Sequence, residues 1–135
     1  NSLAFVPRGV VLCAAASLPG MLNQLAAALA TGNRAFVLAT SQALVPEDLP
    51  AEVKDRIRFI GAAEVENCEF GIALVEAGLK GGLRSQLAAR QGAIVGIVDT
   101  DAASPVALWR LVTERAVCVN TTAAGGNASL MTLGL

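Results

Sequence analysis

A chain of 135 residues is enough for one domain built around one buried core. Hydrophobic residues make up 54% and charged residues 16%, a surface so short of charge that a face covered by a partner is expected. The formal net charge is −1, the pI is near 5.3 and the ten basic residues are scattered, which argues against a nucleic-acid binder, whose basic residues form a stripe.

No segment reaches the roughly 18 consecutive apolar residues of a membrane span. The opening "NSLAFVPRG" has no initiator Met and does not look like a signal peptide, so a piece of a larger protein is expected. Cys13, Cys68 and Cys118 are odd in number and far apart, without a CxxC pair, which leaves no zinc or dithiol motif. Reduced, buried thiols are the expectation, and with them a cytoplasmic location. His and Tyr are absent, which removes the commonest general base, the commonest metal ligand and a frequent proton donor.

The first expected strand is "RGVVLCAA" (8–15), a β-branched apolar run. "SLPGMLNQLAAALATG" follows as a helix, with Ser17 as N-cap, Pro19 in the first turn, Gly32 as the stop, and Leu18, Leu22, Leu25 and Leu29 on one face. "NRAFVLAT" (33–40) is a second strand, "PEDLPAEVKDRI" holds a short polar helix from Pro50 to about Arg56, and "RIRFIG" is a third strand. "EFGIALVEA" (69–77) reads as a buried strand, and "LKGGLRSQLAARQG" as a helix with Leu79, Leu83 and Leu87 in register. Gly81 and Gly82 weaken the start of that helix by about 1 kcal/mol each relative to Ala. "AIVGIVDTD" is a further strand. "SPVALWRLVTER" is expected as the last helix, capped by Ser104, with Pro105 in its first turn and Val106, Trp109 and Val112 sharing a face; "AVCVNT" is the final strand.

Strand and helix alternate, and the strands are nearly unbroken apolar runs. Such strands are buried on both faces, which predicts an α/β fold: a Rossmann-like, open, mostly parallel sheet with helices on both sides.

That sheet type binds ligands beyond the C-terminal ends of its strands, beside the first βα turn. The turn here, "CAAASLPG", lacks both the G-x-G-x-x-G fingerprint and a Walker loop, although the amides opening the Ser17 helix are able to attract an anion. Asp99 and Asp101 in "VDTD" have a spacing that suits a divalent cation or a shared proton, weighed against a plain role in which Asp101 and Ser104 begin the next helix and Asp99 is a loop residue. Glu64, Glu66 and Glu69 read as a solvated connection, and neither Lys54 nor Lys80 has a catalytic context. Cys118 has apolar neighbours and no His to activate it, so it reads as structural.

The tail (119–135) carries no charge, and Gly125 and Gly126 permit close approach by another chain. An unpaired apolar segment of this kind is a liability at an edge, whereas a paired one augments a sheet or fills a groove. Docking is the favoured reading, and folding back on its own sheet the plain alternative. The division that results is a Rossmann-like domain (1–118) followed by a docking tail (119–135).

"ERAVCVNTTAAGGNASLMTLG" (114–134) closely resembles the C-terminus of the long proline utilization A family, bifunctional bacterial enzymes that oxidise proline to glutamate. "LAAALATGNRAFVL", "LWRLVTERAV" and the opening before "VLC" fit the same domain, so the resemblance spans the chain, tightest in the tail and pattern-level between Ser41 and Gly92. The resemblance implies a fold like the cofactor domain of aldehyde dehydrogenases, without catalytic, cofactor or metal residues of its own. It implies FAD and NAD in the parent protein, partners in the parent's semialdehyde dehydrogenase and proline dehydrogenase modules, and a part in closing the tunnel between them. The docking residues it implies are Asn120, Thr121, Thr122, Gly125, Gly126, Asn127, Ser129 and Met131. Two alternatives stand beside it: an oligomerisation module joining protomers, and a small nucleotide-binding Rossmann-like protein.

Overall fold

The computed structural model describes residues 2–79 and 82–117. Its centre is a five-stranded, all-parallel sheet in the order β4–β3–β2–β5–β6, made of β2 (Val10–Ala14), β3 (Arg34–Leu38), β4 (Ile57–Ile60), β5 (Ile72–Glu76) and β6 (Gly96–Thr100). The expected α/β class is the observed one. β2 is central because both its faces are apolar: Val11 and Cys13 face one core, Leu12 and Ala14 the other, and all four are buried. In register, Cys13 lies between Val37 of β3 and Leu74 of β5.

The core on one face is closed by α1 (Leu18–Ala30), through Met21, Leu25 and Ala28, and by Val106 and Leu111 from the segment after β6. The opposite face is closed by α3 (Leu83–Ala88), through Leu83 and Leu87, together with Val65 from a 3-10 turn (Ala62–Glu66). α2 (Ala51–Lys54) is a single exposed turn beside β4, with Pro50 at its N-cap, and it ends two residues short of the expected Arg56. Ser17 caps α1: its Oγ accepts from the Gly20 amide at 3.1 Å, while Pro19 occupies the first turn. Gly32 ends the helix at φ +80°, in the left-handed region, where its amide reaches the Leu29 carbonyl at 3.1 Å.

Three expectations are corrected. The stretch after Ser104 is not a helix but a single 3-10 turn (Leu108–Leu111), and Trp109 is 73% exposed instead of sharing a buried face with Val106 and Val112. Val112 already belongs to β7 (Val112–Val117), which pairs antiparallel with β1 (Ser2–Pro7), a strand the opening residues did not announce. Together β1 and β7 make a separate two-stranded ribbon outside the parallel sheet. The third correction concerns α1, which buries Met21, Gln24, Leu25 and Ala28, while Leu18 and Leu22 are 49% and 43% exposed. Gln24 decides that rotation. Its Nε2 donates to the Ala14 carbonyl at 3.0 Å and to Thr100 Oγ1 at 2.9 Å, bonds that only an inward-facing side chain makes.

Candidate functional site

Strand order reverses between β2 and β5: the chain leaves β2 towards β3 on one side, and β5 towards β6 on the other. In a sheet of this type the crevice beyond the strand ends at that reversal is where ligands bind. Here the floor of the crevice is the first βα turn, Ala15 to Ser17, and the opening of α1.

The crevice is filled by the chain itself. Glu76, the last residue of β5, is only 6% exposed and turns its carboxylate onto the opening of α1. Oε2 accepts from the Ala16 amide at 2.5 Å and the Ser17 amide at 2.9 Å; Oε1 accepts from the Ser17 hydroxyl at 2.5 Å. Burial works to raise the pKa of this carboxyl. The bonds from the Ser17 hydroxyl and the Ala16 and Ser17 amides outweigh it, against a small opposing push from Asp101, and hold the group below the ordinary glutamate value. Gly20 makes this possible, because a Cβ there would fall on the Glu76 carboxyl group at a separation no side chain tolerates. Glycine in the first turn lowers helix propensity by about 1 kcal/mol, and the approach of the carboxylate is what it permits. Gln24 braces the same crevice by bridging the ends of β2 and β6.

The acidic pair does not converge on a cation. Asp99 lies in β6 and pairs with Arg84, while Asp101 Oδ1 accepts from the Ala103 and Ser104 amides at 2.7 and 2.6 Å. Those bonds, Ser104 first and Ala103 next, hold the exposed Asp101 carboxyl below its usual value. Asp101 thus holds a bend rather than the start of a helix, since none follows Ser104, and Asp99 lies in the strand rather than in a loop. Glu64, Glu66 and Glu69 are exposed, and Glu64 is engaged by Arg58 at 3.2 Å and by the Gly61 amide at 3.1 Å. Among the described residues no group of three His, Cys, Asp or Glu is placed to hold a metal ion. Burial raises the Cys13 thiol to about 12, while Cys68 is half-buried. Lys54 is exposed on α2. No helix among the described residues is long and apolar enough to cross a membrane.

Asn120, Thr121, Thr122, Gly125, Gly126, Asn127, Ser129 and Met131 lie outside the described residues, as do Cys118 and Lys80. The ribbon that leads to them is described. β7 ends at Val117, and around it large apolar side chains stand in solvent: Phe5 on β1 at 64%, and Leu108 and Trp109 before β7 at 48% and 73%. The Arg110 guanidinium stacks over the Trp109 ring at 5.7 Å. Asn33 ties this region to the sheet: its Nδ2 donates to the Leu111 carbonyl at 2.8 Å, and its Oδ1 accepts from the Gly9 amide at 2.9 Å.

Sequence reasoning missed both Glu76 and Asn33. A single acid ending the otherwise apolar run "IALVE", opposite a helix opened by "SLPG", was the available signal for Glu76. Nothing comparable marked Asn33, whose partners come from residues 9, 31 and 111.

No protein-family model matches the chain. It is 40% identical over 141 residues, 99% of its length, to the bifunctional protein PutA of Salmonella typhimurium strain LT2. Identity to the PutA proteins of Escherichia coli K12 and Rhizobium meliloti is 39% over 147 residues and 37% over 142 residues, or 99% and 94% of the chain. The chain spans only 10%, 10% and 11% of the length of these three relatives. Along almost all of its length, then, this chain is similar to one segment, about a tenth, of the bifunctional PutA proteins.

Proposed function

We propose that the chain is a non-catalytic domain of a protein that oxidises proline to glutamate, carrying an FAD-dependent proline dehydrogenase and a NAD-dependent glutamate-semialdehyde dehydrogenase elsewhere. In this reading the Rossmann-like body packs on the semialdehyde dehydrogenase module. The tail, through Asn120, Thr121, Thr122, Gly125, Gly126, Asn127, Ser129 and Met131, docks there and helps close the tunnel that carries the intermediate. The observation that carries it is the uncovered apolar surface of the ribbon region, Phe5, Leu108 and Trp109, at the point where the chain runs on towards an uncharged tail. Phe5 and Trp109 line one surface depression, and exposed apolar side chains gathered in this way mark a contact surface. Similarity over 93–99% of the chain to PutA proteins supports the choice of parent.

A photo-activated cross-linker placed at Met131 of the intact protein tests the docking. The expected product joins residue 131 to the dehydrogenase module. Cross-links that return only to residues 2–117 would overturn the reading and leave the tail as the finish of its own domain.

Among the described residues the ribbon's two strands pair only with each other, and a ribbon of this kind also suits strand pairing between protomers. That second reading, an oligomerisation module, expects a concentration-dependent assembly in sedimentation that is lost when 121–135 is removed.

A further inference from the structure

We infer that Glu76 is a resident anion: its carboxylate takes the seat at the sheet's ligand crevice that a phosphate group would otherwise occupy. Three features of its placement carry this. The carboxylate comes from the β5 side of the strand-order reversal and meets the opening of α1 from the β2 side, so it lies across the crevice instead of beside it. It takes the amides of Ala16 and Ser17 and the Ser17 hydroxyl, the donor set with which a Rossmann-like first turn holds a phosphate oxygen. It rests on Gly20, where any Cβ would collide with the carboxyl group.

The helix opening that could hold an anion therefore holds a carboxylate of the chain itself. A phosphate entering would have to displace a 6% exposed side chain and meet its negative charge. The inference does not depend on which partner the tail meets.

Hydrogen–deuterium exchange of peptides covering residues 14–25 in the intact protein tests it, with inorganic phosphate and sodium formate as probes and sodium chloride at equal ionic strength as control. In the unmodified protein neither probe is expected to change the exchange of these amides. In Glu76→Ala, exchange at Ala16 and Ser17 is expected to rise about tenfold or more, and formate or phosphate is expected to restore protection saturably by refilling the vacated seat. Glu76→Gln, which keeps the space filled and one acceptor oxygen for the two amides, is expected to keep most of that protection and to show no response to either anion. Saturable protection of the unmodified protein by phosphate would overturn the inference, because the crevice would then be open. Glu76→Ala that keeps its protection, or loses it without rescue by either anion, would overturn it as well. Should Glu76→Ala fail to fold, the unmodified protein and Glu76→Gln still decide between a filled and an open crevice.

Discussion

Replacing Asn33 by Ala should release the ribbon region from the sheet while leaving the parallel core folded. Asn33 is fully buried, and its amide makes three hydrogen bonds: Gly9 N to Oδ1 at 2.9 Å, and Nδ2 to the Leu111 carbonyl and to Thr31 Oγ1, both at 2.8 Å. The Leu111 carbonyl keeps a second donor, the Arg8 amide at 3.3 Å, and Thr31 Oγ1 keeps its bonds to the Ala27 and Ala28 carbonyls. The Gly9 amide loses its side-chain partner. At about 1 kcal/mol per bond, with a further penalty of about 1 kcal/mol where a group is left unpaired away from water, the loss is about 2–4 kcal/mol. Since each 1.4 kcal/mol is tenfold, the opening equilibrium should rise by about thirtyfold or more. Native-state hydrogen exchange reads this directly. Peptides covering 3–8 and 108–117 should lose protection in Asn33→Ala, while those in β2 and β5 change less. Unchanged protection in the ribbon, or a loss spread evenly over the sheet, would refute the assignment of Asn33 as the tie between them.

Leu74→Ala removes a fully buried side chain at the middle of β5 and should cost about 2–5 kcal/mol, measured as a lowered urea midpoint at unchanged slope. Cys13, fully buried with its thiol raised to about 12, should resist iodoacetamide at pH 8 until denaturant is added, whereas the half-buried Cys68 is alkylated in the folded state; peptide mass spectrometry separates the two. Glu76, held below the ordinary glutamate value of 4.5, contributes stability that is fully present above that pH and is lost as pH falls through its lower folded value. The acid limb of stability against pH should therefore flatten in Glu76→Gln, and an unaltered acid limb would show that the carboxylate is not held in the charged form.

The parallel sheet was legible because its strands are written as continuous apolar runs between capped helices. Val11 to Ala14 and Ile72 to Val75 are buried on both faces, as such runs imply. The ribbon was not legible because its pairing is remote. The spacing of Val106, Trp109 and Val112 suggests a helix running to Arg115, but Ser2–Pro7 offers Val112–Val117 a strand partner more than a hundred positions away, and that partner decides the outcome. The rotation of α1 was hidden for a related reason. Leucine spacing pointed to Leu18 and Leu22, yet the carbonyl of Ala14 and the hydroxyl of Thr100 require Gln24 to face inward, and no local pattern reports that requirement. The crevice was half legible: the missing glycine fingerprint was visible in "CAAASLPG", but not the carboxylate that fills the space.

The central claim is that this domain serves a neighbouring active site through its tail. Its most direct test compares the intact protein with and without residues 121–135. Proline oxidation is followed with an artificial acceptor, and NADH formation is followed from proline and from added pyrroline-5-carboxylate. The account expects proline oxidation to survive while NADH formation falls or acquires a lag. Equal rates for both reactions in the two proteins would contradict it.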